Sequence, residues 1–262
     1  VLWGRDPDKI ARLDADRRHP RFDDHGIPEA VTLSADPADL TPATLVLWAV
    51  PTQHSAAIAE RLAPHLPATT PVVSLAKGLE QAHRRRVSEV LAATLGDARA
   101  YGCLSGPSHA EEVVAGLPVA LVAAGPDPVT DLVLEHLHGR NLRVYTSPDL
   151  VGVELGGALK NVIAVAAGIC DGLCLGDNAK AALITRGVAL AVARGTDATT
   201  HMDRSGMVAE GAWTCRAAVD LGRHHACEMP IASQVASILW DGTNVPAAID
   251  ALLRRAAKSE DA

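Results

Sequence analysis

Lys160, a lysine within an apolar helical pattern, is the first candidate for a catalytic residue in this sequence. Lys160 lies in segment 153–167, which is rich in Gly, Ala, Val and Leu. A buried ammonium is costly unless it is paired or partly neutral, so such a lysine suits a proton donor or acceptor. Gly156, Gly157 and Ala164 lie about one turn away and would leave the surface around it open. The alternative is a side chain that extends along the helix and reaches water.

Lys77 is a second candidate, because it follows an apolar run that predicts a strand. The run Val72–Leu75 ends just before it, and Gly78 comes directly after it. The carboxyl ends of parallel strands form the crevice in which such sheets bind ligands. If Lys77 and Lys160 face one cavity, each lowers the pKa of the other, as a proton donor near neutral pH requires. The alternative is a solvated loop charge.

Two further positions have the residue types of an anion site. Gly106-Pro107-Ser108 offers a tight turn with a hydroxyl and backbone amides, which suits a phosphate or a carbonyl oxygen. The same three residues also mark ordinary turns. Arg5 follows an apparent strand end at Trp3, where dinucleotide-binding folds contact the adenosine ribose. An arginine at that place, without an acid on the strand end, tolerates a 2′-phosphate.

The elements that must position these residues alternate in the first half of the chain. Short apolar runs predict buried strands, and stretches of helical spacing separate them, so a mostly parallel sheet covered by helices is expected. The predicted strands are Leu45–Val50, Pro71–Leu75 and Val119–Ala123, and the predicted helices are Gln53–Leu66, Arg86–Leu95 and Pro128–Leu137.

The second half is predicted to be all-helical. Ser147 and Pro148 are typical of a helix start, and the helix that follows extends to about Leu173. We therefore predict two domains, at 1–146 and 147–262. The later predicted helices are Ala179–Ala193, Met207–His224, Ile231–Trp240 and Pro246–Arg255.

Composition excludes several classes of protein. The net charge is -7 and only 3% of the residues are aromatic, which disfavours a nucleic-acid partner. Apolar runs such as Leu45–Val50 are far shorter than the roughly 20 residues of a membrane helix, so no membrane insertion is expected. No secretory signal is visible at Val1, and a cytoplasmic location is the expectation.

Other polar features are interpreted as inert. The five cysteines include no CxxC pair, which favours reduced thiols; they are Cys103, Cys170, Cys174, Cys215 and Cys227. The histidine pairs His136/His138 and His224/His225 lack a carboxylate at metal-site spacing, so no metal site is predicted. We interpret the run Arg84-Arg85-Arg86 as a solvated helix face.

Taken together, the motifs resemble the bacterial NAD(P)-dependent glycerol-3-phosphate dehydrogenases. The most specific match is the segment Glu154-Leu-Gly-Gly-Ala-Leu-Lys160-Asn161, within a matching stretch Val153–Gly187. Further matches are Leu2–Pro7, Gly26–Pro28, Ala49–Pro51, Lys77-Gly78, Gly106–Ser108, Val208–Gly211 and Met229–Ile231.

The resemblance implies an α/β chain with a Rossmann-like dinucleotide-binding domain and an all-α substrate domain. It implies an oxidoreductase that interconverts sn-glycerol 3-phosphate and dihydroxyacetone phosphate with NAD or NADP and supplies glycerol 3-phosphate for phospholipid synthesis. Lys160 matches the family's catalytic lysine. The positions that match substrate contacts are Lys77, Gly106, Ser108, Lys160 and Asn161, and those that match cofactor contacts are Arg5, Lys77, Ala110, Val208 and Glu210.

The chain departs from the family in two places. The family begins with a strand and a glycine-rich dinucleotide turn before the segment that matches Val1, and it carries several dozen more residues between Thr196 and Gly206. The internal segment includes Gly-Asp-Leu and Ser-Arg-Asn motifs that hold glycerol phosphate and cofactor. We therefore expect weak cofactor binding and little turnover.

Two other interpretations compete with the dehydrogenase. A 6-phosphogluconate-type dehydrogenase also uses a helix-borne lysine and asparagine, but at a spacing unlike the adjacent Lys160 and Asn161. The other is a non-catalytic helical association module, or an inactive remnant of the enzyme, whose Gly/Ala-rich second half packs against a second copy as a homodimer.

Overall fold

The computed structural model describes residues 1–22, 25–172 and 210–253, and these fall into two compact units. The first unit comprises Val1–Val50, His54–Ala76 and Ser88–Val153. The second comprises Pro51–Gln53, Lys77–Val87 and the described residues from Glu154 onward. Lys77 and Lys160 therefore belong to the same unit, although 83 positions separate them in the sequence.

The first unit is built on a mostly parallel sheet, as predicted. Its strand order is β3-β4-β5-β6-β7, with every pair parallel except β5 and β6. A separate pair of short strands, β1 and β2, is also parallel. The strands are β1 (Leu2–Trp3), β2 (Leu33–Ser34), β3 (Val46–Trp48), β4 (Val72–Ser74), β5 (Tyr101–Ser105), β6 (Val119–Ala124) and β7 (Leu142–Ser147).

Helix side chains complete the core on this sheet. Val129 and Val133 of one helix pack with Val73, Leu121 and Val144 of the strands. The helices of this unit are α1 (Pro7–Asp16), α2 (Ser55–Leu62), α3 (Val87–Leu95), α4 (Ala110–Val114) and α5 (Asp127–Leu137). Short 3-10 turns at Thr52–His54 and Ala63–His65 flank α2, so the helix is shorter than the predicted Gln53–Leu66.

The described residues of the second unit from Glu154 onward form helices joined by short connections, as predicted, whereas its segment 77–86 is not helical. Its helices are α6 (Leu150–Gly172), α7 (Glu210–His224), α8 (Pro230–Trp240) and α9 (Val245–Leu253). Apolar side chains of α6 and α7 form its core together with the fully buried Leu79, which comes from segment 77–87. The predicted helix Ala179–Ala193 lies outside the described residues. None of the described helices has the length and apolar character that crossing a membrane requires.

Candidate active site

Lys160 lies on α6 with a half-buried side chain. Burial lowers the pKa of its ammonium below the ordinary lysine value, because the charged form loses hydration. The direction agrees with the prediction, but the cause is burial and not the charge of Lys77. A Cβ added at Gly156, one turn earlier, would meet no atom of the described residues within 4 Å. Gly157 and Ala164, in contrast, are buried, so the helix surface is open on one side only.

Asn161 connects this helix to Lys77. Its Nδ2 donates a hydrogen bond to the backbone carbonyl oxygen of Lys77 at 3.2 Å. Asn161 is 7% exposed, and its Oδ1 is a buried acceptor with no hydrogen-bond partner among the described residues. The residue next to Lys160 therefore fixes the Lys77 peptide and keeps one acceptor for another group.

Tight packing holds the Asn161 backbone in place. A Cβ added at Gly211 of α7 would collide with the carbonyl oxygen of Asn161. Only a glycine lets α7 approach α6 this closely, because any larger side chain would have to displace that backbone. The sequence match at Gly211 thus corresponds to a packing constraint on the site.

Segment 77–87 is held by hydrogen bonds at several points beyond Lys77. The Gln53 side chain donates to the Leu79 carbonyl oxygen at 2.8 Å and accepts from the Gln81 amide at 3.1 Å. The Leu79 amide donates to Thr214 Oγ1 at 3.4 Å. A Cβ at Gly78 would lie 2.8 Å from Thr52 Oγ1, so this glycine permits a close approach. The Lys77 backbone is therefore part of a fixed segment.

An ion pair anchors the far end of the same segment. Arg86 Nη1 lies 2.8 Å from Glu154 Oε2, and the two side chains are 17% and 6% exposed. Glu154 and Asn161 are seven residues apart on α6, which places them on one face of the helix. Segment 77–87 is thus bound to α6 at both ends.

The interpretation of Arg84-Arg85-Arg86 as a solvated helix face was wrong. These residues precede α3, which begins at Val87. Arg85 lies 3.5 Å from Glu80, which also bonds His83. Burial acts to raise the pKa of the Glu80 carboxyl, but hydrogen bonds from His83 and Arg85 outweigh it and hold that pKa below its ordinary value. The pairing of Arg85 with Glu80 has no helical periodicity that a sequence pattern could show.

The remaining predicted site residues lie in the first unit or outside the described residues. Gly106 follows β5 with a φ of +149°, and a Cβ there would lie 2.8 Å from the Ala120 carbonyl oxygen, so the turn requires glycine. Ser108 is half-buried, and Ala110 begins α4 in an exposed position. Arg5 is exposed just after β1. Glu210 is the first residue of α7, and Val208 lies outside the described residues.

The structure therefore places Lys160, Asn161 and Lys77 in one unit, with a hydrogen bond between two of them. Sequence reasoning missed the groups that hold this arrangement, which are Gln53, Thr214 and the pair Arg86 and Glu154. A polar residue in a buried helix was the one signal that could have indicated Glu154.

Two family models match this chain. The family model for the N-terminus of NAD-dependent glycerol-3-phosphate dehydrogenase matches residues 1–130, and the model for its C-terminus matches residues 149–192 and 188–250. The second match is thus divided into two segments.

Curated relatives match over nearly the whole chain. A glycerol-3-phosphate dehydrogenase [NAD(P)+] 2 of Salinibacter ruber is 38% identical over 306 positions, covering 99% of this chain and 89% of that protein. An Erwinia tasmaniensis glycerol-3-phosphate dehydrogenase [NAD(P)+] is 36% identical and covers 100% of this chain and 90% of its own length.

A solved structure has the same fold. The crystal structure of glycerol-3-phosphate dehydrogenase from Coxiella burnetii superposes with a TM-score of 0.89 at 31% identity, covering 97% of this chain and 91% of that one. The chain belongs to the NAD-dependent glycerol-3-phosphate dehydrogenase family.

Proposed function

We propose that this protein interconverts sn-glycerol 3-phosphate and dihydroxyacetone phosphate with NAD or NADP, and that it supplies glycerol 3-phosphate for phospholipid synthesis. Family membership supports the reaction class. The observation that carries the proposal is the half-buried Lys160 with a lowered pKa, next to an asparagine bonded to Lys77.

The residues present fit a nicotinamide dinucleotide. An exposed guanidinium, that of Arg5, follows the end of a parallel strand, where such folds contact the adenosine ribose. The residues that would hold the cofactor are Arg5, Lys77, Ala110, Val208 and Glu210. When bound, the nicotinamide supplies the hydride for reduction of the ketone and accepts it in the reverse reaction.

Lys160 is the proposed proton donor. In reduction, the C2 carbonyl carbon gains a hydride and its oxygen takes the Lys160 proton, which leaves a neutral amine and an alcohol. In oxidation the neutral amine takes the hydroxyl proton back. The lowered pKa favours this role, since a donor is most efficient when its pKa lies near the working pH.

Other residues are proposed to bind and orient the substrate. Lys77 would add a positive charge near the oxygen that develops negative charge. Gly106, Ser108 and Asn161 are the further proposed substrate contacts, and the buried Oδ1 of Asn161 is an acceptor for a substrate hydroxyl. The phosphate would serve as the remote group whose binding orients the reacting carbonyl.

We further propose that turnover is slow. The alignment with the Salinibacter protein spans 306 positions, more than the 262 residues of this chain, so the relative carries positions that this chain lacks. The divided match of the C-terminal family model supports an internal loss near residues 188–192. If substrate-binding residues are lost there, the alternatives are an inactive remnant of the enzyme or a non-catalytic helical association module.

Location and assembly are further proposals. Cys103 and Cys215 are buried free thiols and Cys227 is an exposed one, which supports a reducing compartment such as the cytoplasm. A net charge of -7 supports a protein without a nucleic-acid partner. The Gly/Ala-rich α6 supports a homodimer, which light scattering during size-exclusion chromatography would detect.

The test of function is the oxidation of reduced nicotinamide by dihydroxyacetone phosphate at high protein concentration. We expect a slow loss of NADPH or NADH absorbance and formation of glycerol 3-phosphate in equal amount. Titrating the cofactor with and without substrate distinguishes the enzyme from a helical association module. In the association module, substrate should not change the affinity for the cofactor. If the protein shows neither turnover nor coupling between cofactor and substrate binding, the non-catalytic alternatives would be favoured over the enzyme.

A further inference from the structure

Two arginines meet at the carboxyl end of β1. Arg5 follows this strand and is exposed, and Arg61 lies in the last turn of α2. The Arg61 guanidinium carbon lies 5.2 Å from the ring centroid of Trp3, and its Nη1 donates to the Arg5 carbonyl oxygen at 3.4 Å. A stacked ring and a backbone hydrogen bond thus hold a second cation beside Arg5. All of these residues belong to the first unit.

The carboxylates near this strand end are engaged in local hydrogen bonds. Asp6 caps α1, where its Oδ1 accepts from two backbone amides at 3.1 and 3.2 Å. Asp36 caps the 3-10 turn after β2 by accepting a backbone amide at 2.9 Å. Asp39 accepts from Ser34 Oγ at 2.6 Å. Each carboxylate therefore stabilises its own turn, while the guanidinium of Arg5 is exposed to solvent.

This distribution of charge matters for the cofactor. In a dinucleotide-binding fold, a carboxylate at the strand end accepts a hydrogen bond from the free ribose 2′-hydroxyl of NAD, whereas arginine accommodates the 2′-phosphate of NADP. A guanidinium has five N–H donors, and the bond from Arg61 to Arg5 uses one of them. Guanidinium groups also bind phosphate oxygens in a bidentate manner.

We propose that Arg61 binds the 2′-phosphate of NADP(H) together with Arg5, and that this chain therefore prefers NADP(H) to NAD(H). Stacking on Trp3 orients the Arg61 guanidinium before the cofactor arrives, which reduces the entropy lost on binding. The inference rests on the proposed function, because it takes the bound dinucleotide as given.

The test compares the equilibrium dissociation constants of NADPH and NADH for the full chain by isothermal titration calorimetry. We expect tighter binding of NADPH. Arg61→Gln should weaken NADPH binding by about tenfold to a hundredfold, the range of a charged hydrogen bond, and leave NADH binding unchanged. Arg61→Lys should restore part of the loss, and 2′,5′-ADP should displace NADPH better than 5′-ADP does.

Arg143→Gln is the matched control. The Arg143 guanidinium lies 5.8 Å from the Tyr145 ring centroid in the same unit, so this variant also removes an arginine stacked on an aromatic ring. It should leave both dissociation constants unchanged. Far-ultraviolet circular dichroism of each variant checks that the fold is retained.

The outcomes separate this inference from the proposed function. Equal losses for NADPH and NADH in Arg61→Gln, or no loss for either, would overturn the role of Arg61 while leaving a dinucleotide-binding protein. Equal affinity of the unaltered chain for NADPH and NADH would overturn the preference. If neither dinucleotide binds the unaltered chain, the inference and the proposed function both fail.

Discussion

The side-chain amide of Asn161 donates to the backbone carbonyl oxygen of Lys77 across 84 residues of sequence, at 3.2 Å. This bond joins the helix that carries Lys160 to the segment that carries the second candidate lysine. Because Asn161 is buried, water cannot readily replace the bond. Both lysines therefore depend on the same local framework, and that dependence can be tested.

Removing the Asn161 amide should loosen Lys77 without unfolding the protein. Asn161→Ala removes both the Nδ2 bond to Lys77 and the proposed Oδ1 acceptor, so we expect it to raise the KM for dihydroxyacetone phosphate by about tenfold or more. Steady-state kinetics at saturating cofactor measure this, with the exposed Asn141→Ala as control. An unchanged KM in Asn161→Ala would show that the bond does not support substrate binding.

Breaking the ion pair between Arg86 and Glu154 should destabilise the second unit. Glu154→Gln removes the charged hydrogen bond between these two largely buried side chains, which we expect to cost about 1.5–3 kcal/mol in the free energy of unfolding. The exposed pair Arg223 and Asp220 is the control, because its side chains are 76% and 46% exposed. Asp220→Asn should cost less than about 1 kcal/mol in urea unfolding. Similar costs for the two variants would contradict the anchoring role of Glu154.

The lowered pKa of Lys160 predicts opposite pH dependences for the two directions of the reaction. Ketone reduction needs the ammonium, so its rate should fall as pH rises through the lowered pKa. Oxidation of glycerol 3-phosphate needs the neutral amine, so its rate should rise through the same pKa. Profiles of kcat/KM against pH in both directions measure this. If kcat/KM changed with pH in the same direction for reduction and for oxidation, Lys160 would not be the group that carries the proton in both.

Gly211 and Gly156 should respond differently to the same substitution. Gly211→Ala places a Cβ against the Asn161 carbonyl, and we expect it to destabilise the protein by about 1–3 kcal/mol. Gly156→Ala meets open space on α6 and should stabilise by about 0.5–1 kcal/mol through helix propensity. Thermal unfolding of both variants measures these changes. A Gly211→Ala variant as stable as the unaltered protein would contradict the close approach of α7 to α6.

The sequence predicted elements well where apolar runs were continuous. Strands β3, β4 and β6 each lie within or close to a predicted run. Strand β7 was missed, because its exposed residues Arg143, Tyr145 and Thr146 leave no continuous apolar run. Strand β5 was missed because it contains Gly102, where a Cβ would lie 2.8 Å from Val129 Cγ1. Gly102 allows the α5 side chain of Val129 to pack against the strand, and this contact can be seen only in the folded protein.

Helix starts show a similar limit. Ser147 was predicted near the start of α6, but it ends β7, and Asp149 Oδ1 accepts the Gly152 amide at 2.8 Å instead. Both residues are good caps, so residue type alone cannot choose between them. For the site, a lysine within an apolar helical pattern indicated Lys160, and the position after a predicted strand indicated Lys77. The groups that hold them, such as Gln53 and Thr214, act through tertiary contacts that no local pattern records.

The central claim is that Lys160 exchanges the substrate proton. The direct test compares Lys160→Met with the unaltered chain in single-turnover reduction of dihydroxyacetone phosphate, with NADPH affinity measured in parallel. We expect the rate to fall by about a hundredfold to ten-thousandfold, the usual contribution of a general acid, while NADPH still binds. A Lys160→Met protein that reduces the ketone at the unaltered rate would contradict the account.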